Sequence, residues 1–463
     1  MCRRQDLPLN RTPVAHDEDI EMHESTVTQP PGTAQAGAVA AAVAGHLKAG
    51  EIAEVVAMLD SSIRSDDVAA IGDHLAEAWQ QTVAPLGTVT EIHPPVCGPK
   101  TARGQVVTVV VDCEHGPFQL RVTVDPDGMV TTLHFQPAAP VADQESSWTP
   151  PPYADPARFT EHDLMLESGG QSVEASLCLP NSTGAPVSAV VLLAGSGPSD
   201  RDSTVGLNKP LRDLAWGLAS NGIATIRHDK LTYADPESVS ARTEFTAADE
   251  YVPHAVAAIN VLRDHPRIDG DHVFLLGHSQ GATMAPRVAA NADSAVAGLI
   301  LMAVSAEPVH HAAVRQVRYL LSLDPDADPD QHPGLAELIQ QAELVDSADL
   351  NESTPPADLP FGVPAPYWLD LRTYDPTATI PTLNVPVLLL QGGRDYQVTV
   401  EEHHRFAATL PHHVDITTHL YPGGDHYFFA GSGLSTPSSY YDPHHVDQAV
   451  IADITAWCLR QPQ

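Results

Sequence analysis

Lysine is almost missing from this chain, with four residues among 463. Basic residues of both kinds number 24 against 59 acidic ones, for a formal net charge of -35. A surface so poor in positive charge excludes the phosphate-binding stripe that nucleic-acid partners require, and it is repelled by anionic membranes. A salt-adapted acidic surface would explain the shortage of lysine, but a GC-rich coding bias toward Arg, Ala, Asp and Pro is the plainer account. Cysteine is scarce as well. Cys2, Cys97, Cys113, Cys178 and Cys458 are scattered, odd in number and free of C-x-x-C spacing, so a reducing compartment is expected and a disulfide framework is not. No run approaches the roughly 18 apolar residues of a membrane-spanning helix. Arg3 and Arg4 are followed by Asp17, Glu18, Asp19 and Glu21 rather than by an apolar signal segment. A cytoplasmic protein with no membrane partner is the expectation.

What is present divides the chain into parts. Residues 1–35 have the polar, Pro/Gly-punctuated composition of a disordered leader. From residue 36 to 136, apolar residues first recur at helical spacing (Leu47, Ile52, Val55, Val56, Leu59) and then fall into extended runs, Val106 to Val111, Phe118 to Val124 and Met129 to Phe135. Asp125-Pro126-Asp127-Gly128 supplies a hairpin turn between the last two. This pattern predicts a small α+β domain, without a constellation of ionisable residues, whose role is structural or dimerising, so that a homo-oligomer stays open. Residues 137–156 are proline-dense, a semi-rigid linker. From 157 to 463 strands alternate with helices, the pattern of a mostly parallel sheet flanked by helices. Asn208 is placed to cap a helix with Pro210 in its first turn, and Thr246 to Asp249 form a capping box. The alternation stops between about 305 and 380, where an insertion with helical spacing at Leu335, Leu338, Ile339, Ala342 and Val345 takes over.

The chemistry centres on Val273 to Leu276, an apolar strand, followed without a loop by Gly277-His278-Ser279-Gln280-Gly281 and a helix-period segment. A G-x-S-x-G sequence between strand and helix is a nucleophile elbow, a turn too tight for side chains two residues either side of the serine. Three further segments accompany it. Asn384 to Asp395 is an apolar strand ending in Gly392-Gly393-Arg394-Asp395. Tyr421-Pro422-Gly423-Gly424-Asp425-His426 ends another strand in a histidine loop. Ala189 to Asp202 is a strand running into Gly195-Ser196-Gly197-Pro198-Ser199-Asp200-Arg201-Asp202.

With these four segments, residues 157 to 460 resemble the α/β-hydrolase superfamily. The G-S-G-P-x-D-R-D run is similar to that of esterases grouped near the serine aminopeptidases. The resemblance implies an α/β-hydrolase fold with a helical cap at 305–380. It also implies a triad of Ser279 as nucleophile, His426 as base and Asp395 as the acid that orients the base. The oxyanion hole would be built from the backbone N–H groups of Ser196 and Gln280, with Gly195, Gly197, Asp200, Arg201 and Asp202 supporting the loop. Asp200, Arg201 and Asp202 are expected in a network behind that loop, with Asp229 or Lys230 as partners. Residues 36–136 resemble an N-terminal domain found fused to some bacterial hydrolases, a cone-shaped fold of the ketosteroid-isomerase type.

Plainer readings compete at single positions. His278 is expected to pack rather than to touch substrate, and Asp425, beside the histidine, is a rival acid. Asp324 to Asp330 mimics the start of an EF-hand, but Pro329 stands at the glycine position and Leu335 at the bidentate glutamate. The adjacent pairs His310/His311, His403/His404, His412/His413 and His444/His445 should point apart and remain surface histidines. No metal and no cofactor is therefore expected. The expected activity is hydrolysis of a small carboxylic ester through an acyl-enzyme. Amide, peptide or thioester cleavage and acyl transfer are rivals on the same residues. An acidic residue in the insertion that binds a substrate amine (Glu337, Glu343 or Asp370) would mark a peptidase. A non-catalytic binding scaffold is the rival of another class.

Overall fold

A computed structural model describes residues 31–60, 71–137 and 148–461, except 73–74, 77, 80–82, 84–85, 102–103, 115, 182–183, 293–295, 324–327 and 441. Most of the expected leader, the first half of the expected linker and the first four residues of the acidic 324–330 run thus lie outside the described residues. The chain forms two compact units, Met1–Pro137 and Ala138–Gln463.

In the first unit, helices α1 (Pro31–Ala49) and α2 (Ile52–Ala57) precede strands β1 (Val89–Ile92), β2 (Val96–Thr101), β3 (Gly104–Cys113), β4 (Gly116–Val124) and β5 (Val130–Pro137). The sheet is antiparallel in the order β1-β3-β4-β5, with β2 also pairing β3. Ala40, Val43, Ala44 and Leu47 recur at helical spacing on α1 and share one apolar cluster with Val107, Val109, Leu120 and Val122, alternate residues of β3 and β4. The β4–β5 turn is tied by the Asp125 carboxylate, which accepts from the N–H groups of Asp127 and Met129.

The second unit is built on an eight-stranded mixed sheet of β6 (Phe159–Ser168), β7 (Gln171–Pro180), β8 (Val187–Leu193), β9 (Ala224–His228), β10 (Ile268–His278), β11 (Gly298–Met302), β12 (Val387–Gly392) and β13 (Ile416–Tyr421). Its order is β13-β12-β11-β10-β8-β9-β7-β6, parallel from β13 to β9 and antiparallel across β9-β7-β6. This is the α/β-hydrolase fold.

Why the strands read as continuous apolar runs follows from their two covered faces. Val191, Val273, Leu275, Leu299 and Leu389 point to one core, and Val190, Phe274, Leu276, Ile300 and Leu388 to the other. Helices α4 (Ala247–Asp264) and α5 (Gln280–Asn291) cover the first face. On the second lie α3 (Pro210–Ser220) and the last helix of the chain, Gln448–Arg460, whose Trp457 ring meets Phe274 at 5.6 Å.

The insertion between β11 and β12 contains α6 (Val309–Ser322), α7 (Pro333–Asp346), α8 (Ala365–Thr373) and α9 (Pro376–Leu383). Val345, Leu350, Leu359, Ala365 and Trp368 give it a core of its own. Among the described residues no helix is long and apolar enough to cross a membrane.

Chain order locates the site before any side chain is considered. From β8 the chain passes to β9 on one side, then returns to β10 on the other. Open α/β sheets bind ligands at such a reversal, outside the carboxyl ends of the two central strands. Here β8 ends at Leu193 and β10 at His278, so the crevice opens onto Gly195 and Ser279.

Two local expectations need correction. Asn208 does not cap α3: Lys209 occupies that position without a side-chain bond. The Asn208 amide instead donates to the carbonyls of Tyr440 and Asp442 and accepts from His444 N–H, so long-range partners take the group that a helix cap would use. His310 and His311 do not diverge either. Both rings reach Asp346 at the end of α7, at 2.9 and 2.8 Å, and His310 is buried rather than on the surface, as is His403.

Candidate active site

Ser279 sits between β10 and α5 with φ 54° and ψ -122°, a backbone region that non-glycine residues occupy only when the surroundings impose it. Neighbouring chain leaves little choice. A Cβ on Gly277 would lie 2.2 Å from the Gly281 carbonyl oxygen, and one on Gly281 would lie 2.4 Å from that of Ala194. Only glycine allows β8 and α5 to approach this closely, and the approach brings Gly195 beside the serine, its ideal Cβ position 3.2 Å from Ser279 Cβ.

His426 follows β13 in a loop that folds back on the elbow. Its Nδ1 lies 2.8 Å from Asp395 Oδ2, and both side chains are buried. Asp395 is held in turn, with Oδ1 accepting from the N–H groups of Gln397 and Val398 at 2.8 and 2.9 Å. With Nδ1 donating to the carboxylate, Nε2 of His426 is left as the basic nitrogen. Among the described residues no hydrogen bond joins the Ser279 hydroxyl to His426; in unliganded sites such bonds often tighten only with substrate.

His278 contributes more than packing. Its Nε2–H donates to the His426 carbonyl at 2.8 Å and its ring lies 4.6 Å from the His426 ring, so it holds the histidine loop against the elbow. Burial, and then the nearby His426, push its pKa down to about 3, which keeps the ring neutral. Nothing in the motif announces this role. Asp425 turns away: its Oδ1 accepts from Tyr427 and Phe429 N–H and staples its own loop, while burial raises its pKa.

The residues expected to form and support an oxyanion hole go to separate places. The Gln280 N–H opens α5, where backbone donors are left without intrahelical partners, and its side chain donates to the Tyr367 hydroxyl of α8 at 3.1 Å. Gly195 is buried and Ser196 exposed, and Gly197 turns the loop with φ +81°. Asp200 stays local, accepting from Thr204 N–H and hydroxyl. Arg201 does meet Asp229, its N–H donating at 2.7 Å and its guanidinium at 3.3 Å, with Glu174 at 2.7 Å. Burial lifts the Asp229 pKa to about 6. Asp202 pairs with the fully buried Arg227 at 2.8 Å and with Lys209 at 3.1 Å. Burial would raise the Asp202 carboxyl, but the Arg227 and Lys209 charges outweigh it and the net shift is downward. Lys230 stands apart from these three, on the carbonyl of Gly195 itself.

The insertion touches both sides of this site. Besides Tyr367, Arg315 donates to the Tyr396 and Gln397 carbonyls next to Asp395, and Tyr319 stacks on Tyr396 at 4.8 Å. Asp370 is gripped by Arg287 through both oxygens, at 2.7 and 2.8 Å, and accepts from Ala248 N–H; Glu337 and Glu343 are exposed on α7. Two groups of described residues bring three metal-ligating atoms within 4.8 Å, His310/His311/Asp346 and Glu91/His93/Asp112. In the first, both histidines are paired with the Asp346 carboxylate, and in the second His93 is paired with Asp112 at 2.8 Å.

Residues 190–433 match the model of the alpha/beta hydrolase family. The chain is 32% identical over 359 residues to esterase EstD of Thermotoga maritima, an alignment spanning 78% of this chain and 81% of that protein. Among solved structures it is similar to Est1E from Butyrivibrio proteoclasticus, with 17% identity, a TM-score of 0.42, and 65% of this chain and 98% of that one covered. It is also similar to the Pyrococcus horikoshii acylaminoacyl peptidase, with 12% identity, a TM-score of 0.44, and 81% and 56% covered. Neither structural likeness bears on its chemistry.

Proposed function

The chain belongs to the alpha/beta hydrolase family, and on that footing we propose that it is a serine hydrolase cleaving small carboxylic esters through an acyl-enzyme. The observation that carries the reading is the strained Ser279 at the head of α5, facing a histidine loop whose ring is locked to a buried carboxylate. A serine hydroxyl is a weak nucleophile at neutral pH and needs such a base. In the proposed sequence His426 Nε2 takes the proton from Ser279 as Oγ attacks the ester carbonyl, while Asp395 holds the tautomer and stabilises the imidazolium. The oxyanion accepts from the N–H groups of Gln280 and Ser196, His426 returns the proton to the leaving alcohol, and water resolves the acyl-enzyme by the same route.

An esterase relative at 32% identity supports ester over amide substrates. The commitment of Asp370 to Arg287 also removes one candidate anchor for a peptide amine. The insertion is proposed to act as a cap, since its Tyr367, Arg315 and Tyr319 reach the elbow and the acid loop. No nucleic-acid, membrane or cofactor partner enters this reading.

Intact-protein mass after brief exposure to a fluorophosphonate tests the proposal. A single adduct is expected on the wild type and on neither Ser279→Ala nor His426→Ala. A folded wild type that takes up no label would sink it and favour a binding scaffold. Rates with p-nitrophenyl esters of graded chain length, set against aminoacyl amides, then separate esterase from peptidase.

A further inference from the structure

The carbonyl of Gly195 accepts two hydrogen bonds from buried side chains, one from Lys230 Nζ at 2.9 Å and one from the Tyr251 hydroxyl at 2.6 Å. A carbonyl oxygen has two lone pairs, so this acceptor is full. Lys230 is 3% exposed, and its three N–H bonds are all used: Gly195, the Tyr251 hydroxyl at 2.8 Å and Glu250 Oε1 at 3.1 Å. Glu250, also 3% exposed, is satisfied by Lys230, by the Thr232 hydroxyl at 2.6 Å and by the Tyr367 hydroxyl at 2.6 Å on its other oxygen. Tyr367 in turn accepts from the Gln280 side chain.

Burying a lysine and a glutamate is costly unless the geometry leaves no group unpaired, and this network leaves none of these groups so. Its end point is a peptide bond. The Gly195–Ser196 peptide is planar and trans, so its N–H, that of Ser196, points away from the carbonyl that Lys230 and Tyr251 hold. Two donors on the carbonyl, one of them cationic, also polarise the amide and strengthen its N–H as a donor. The other end of the network reaches Gln280, whose own N–H opens α5 beside the serine.

From this arrangement we infer that Lys230 and Tyr251, braced by Glu250 and Tyr367, are positioning residues that aim and polarise the backbone donors of the oxyanion hole. The inference rests on the serine-hydrolase reading above and adds to it four side chains drawn from three separate segments of the chain. Because the hole acts on charge that develops in the transition state, its effect belongs in kcat rather than in ground-state binding.

The test compares wild type with Tyr251→Phe, which keeps the ring and removes only the donor, and with Lys230→Met. Measured are kcat and KM on a p-nitrophenyl ester, Ki for a trifluoromethyl ketone that forms the oxyanion, and the urea midpoint. The expected result is a fall in kcat of about 10- to 100-fold for each variant. KM should change by less than about threefold, and Ki should rise in step with the loss in kcat/KM. Lys230→Met strands Glu250 and is also expected to lower the urea midpoint, so Tyr251→Phe carries the decision if that variant does not fold. Tyr367→Phe is expected to follow the same pattern with a smaller loss. An active wild type with Tyr251→Phe within about twofold in kcat overturns the inference and leaves the hydrolase reading standing. A loss confined to KM overturns it equally. A wild type that neither labels nor turns over ester removes both.

Discussion

Gly281→Ala tests the close approach of α5 to β8. The added Cβ would stand 2.4 Å from the Ala194 carbonyl oxygen and 2.8 Å from that of Leu193, roughly 1 Å inside a van der Waals contact. Both obstacles are backbone of β8 and its exit, so no side chain can swing aside. Relief must come from separating α5 from β8, and the atoms displaced lead directly into Gly195 and Ser196. Two terms oppose each other in stability. Alanine is the better helix former by up to about 1 kcal/mol, whereas overpacking a closed contact costs about 1–3 kcal/mol. With the clash near the upper end of that range, a net loss of about 2 kcal/mol is expected. Activity should suffer more, because a shift of about 1 Å in a donor can cost on the order of 100-fold. Urea unfolding followed by tryptophan fluorescence and the rate of fluorophosphonate labelling measure the two effects. Gly184→Ala, where an added Cβ meets nothing within 4 Å and φ is not positive, is the control. If Gly281→Ala matches that control in midpoint and keeps more than half the labelling rate, the close strand–helix contact is not what shapes the elbow.

Other outcomes follow from buried charge. Arg227→Met removes a guanidinium bonded to Asp202 at 2.8 Å and Glu161 at 2.7 Å; Lys209 and Arg212 remain near those carboxylates, so the loss should sit at the lower end for a broken buried pair, about 3 kcal/mol. Arg318→Ala, which breaks the exposed pair with Asp330, should cost under about 1 kcal/mol, and equal urea midpoints for the two variants would contradict the assignment. Burial lowers the pKa of His228 to about 4, of His278 to about 3 and of His403 to about 4. Below about pH 6.5 the unfolded chain therefore binds protons that the fold refuses, and stability falls with pH by up to about 1.4 kcal/mol per unit for each histidine. Asp229, raised to about 6, works the other way as pH drops below that value, which leaves a net loss of about 4 kcal/mol between pH 7 and 5. A urea midpoint that is flat or rises over that interval would refute the sign.

How much of this was open to a reader of the sequence depends on the distance over which each residue finds its partner. The elbow was legible because strand, glycine pair and helix are contiguous, so sterics alone select the motif at Gly277 to Gly281. Asp395 and His426 were legible as residues at the ends of apolar strands, although only the fold brings them within 2.8 Å. Strands β1 and β2 were not, since Pro94, Pro95, Gly98 and Pro99 erase the alternating pattern on which a strand reading depends. The errors have one physical origin, a local preference overridden from afar. Asn208 has the chemistry of a helix cap, yet its hydrogen bonds go to residues more than 230 positions away. The helical divergence of His310 and His311 gives way to a carboxylate on another helix.

The segment Arg227-His228-Asp229-Lys230 shows the same limit where it matters most for the site. Read as a string, it is a strand end with three charges that a surface loop could carry. In the fold, the buried Arg227 turns between the carboxylates of Glu161 and Asp202, Asp229 caps the Arg201 backbone, and Lys230 passes the end of β9 to reach Gly195. What sends Lys230 there is topology. Strand β9 lies immediately beside β8 and parallel to it, so the residue that leaves β9 arrives level with the one that leaves β8. Tyr251 and Glu250 are brought to the same point by α4, which packs across these strands. A charge that looks out of place in the sequence is therefore aimed by the same strand order that opens the crevice, and any substitution that shifts β9 against β8 should disturb the Gly195 peptide before it disturbs the His426–Asp395 pair.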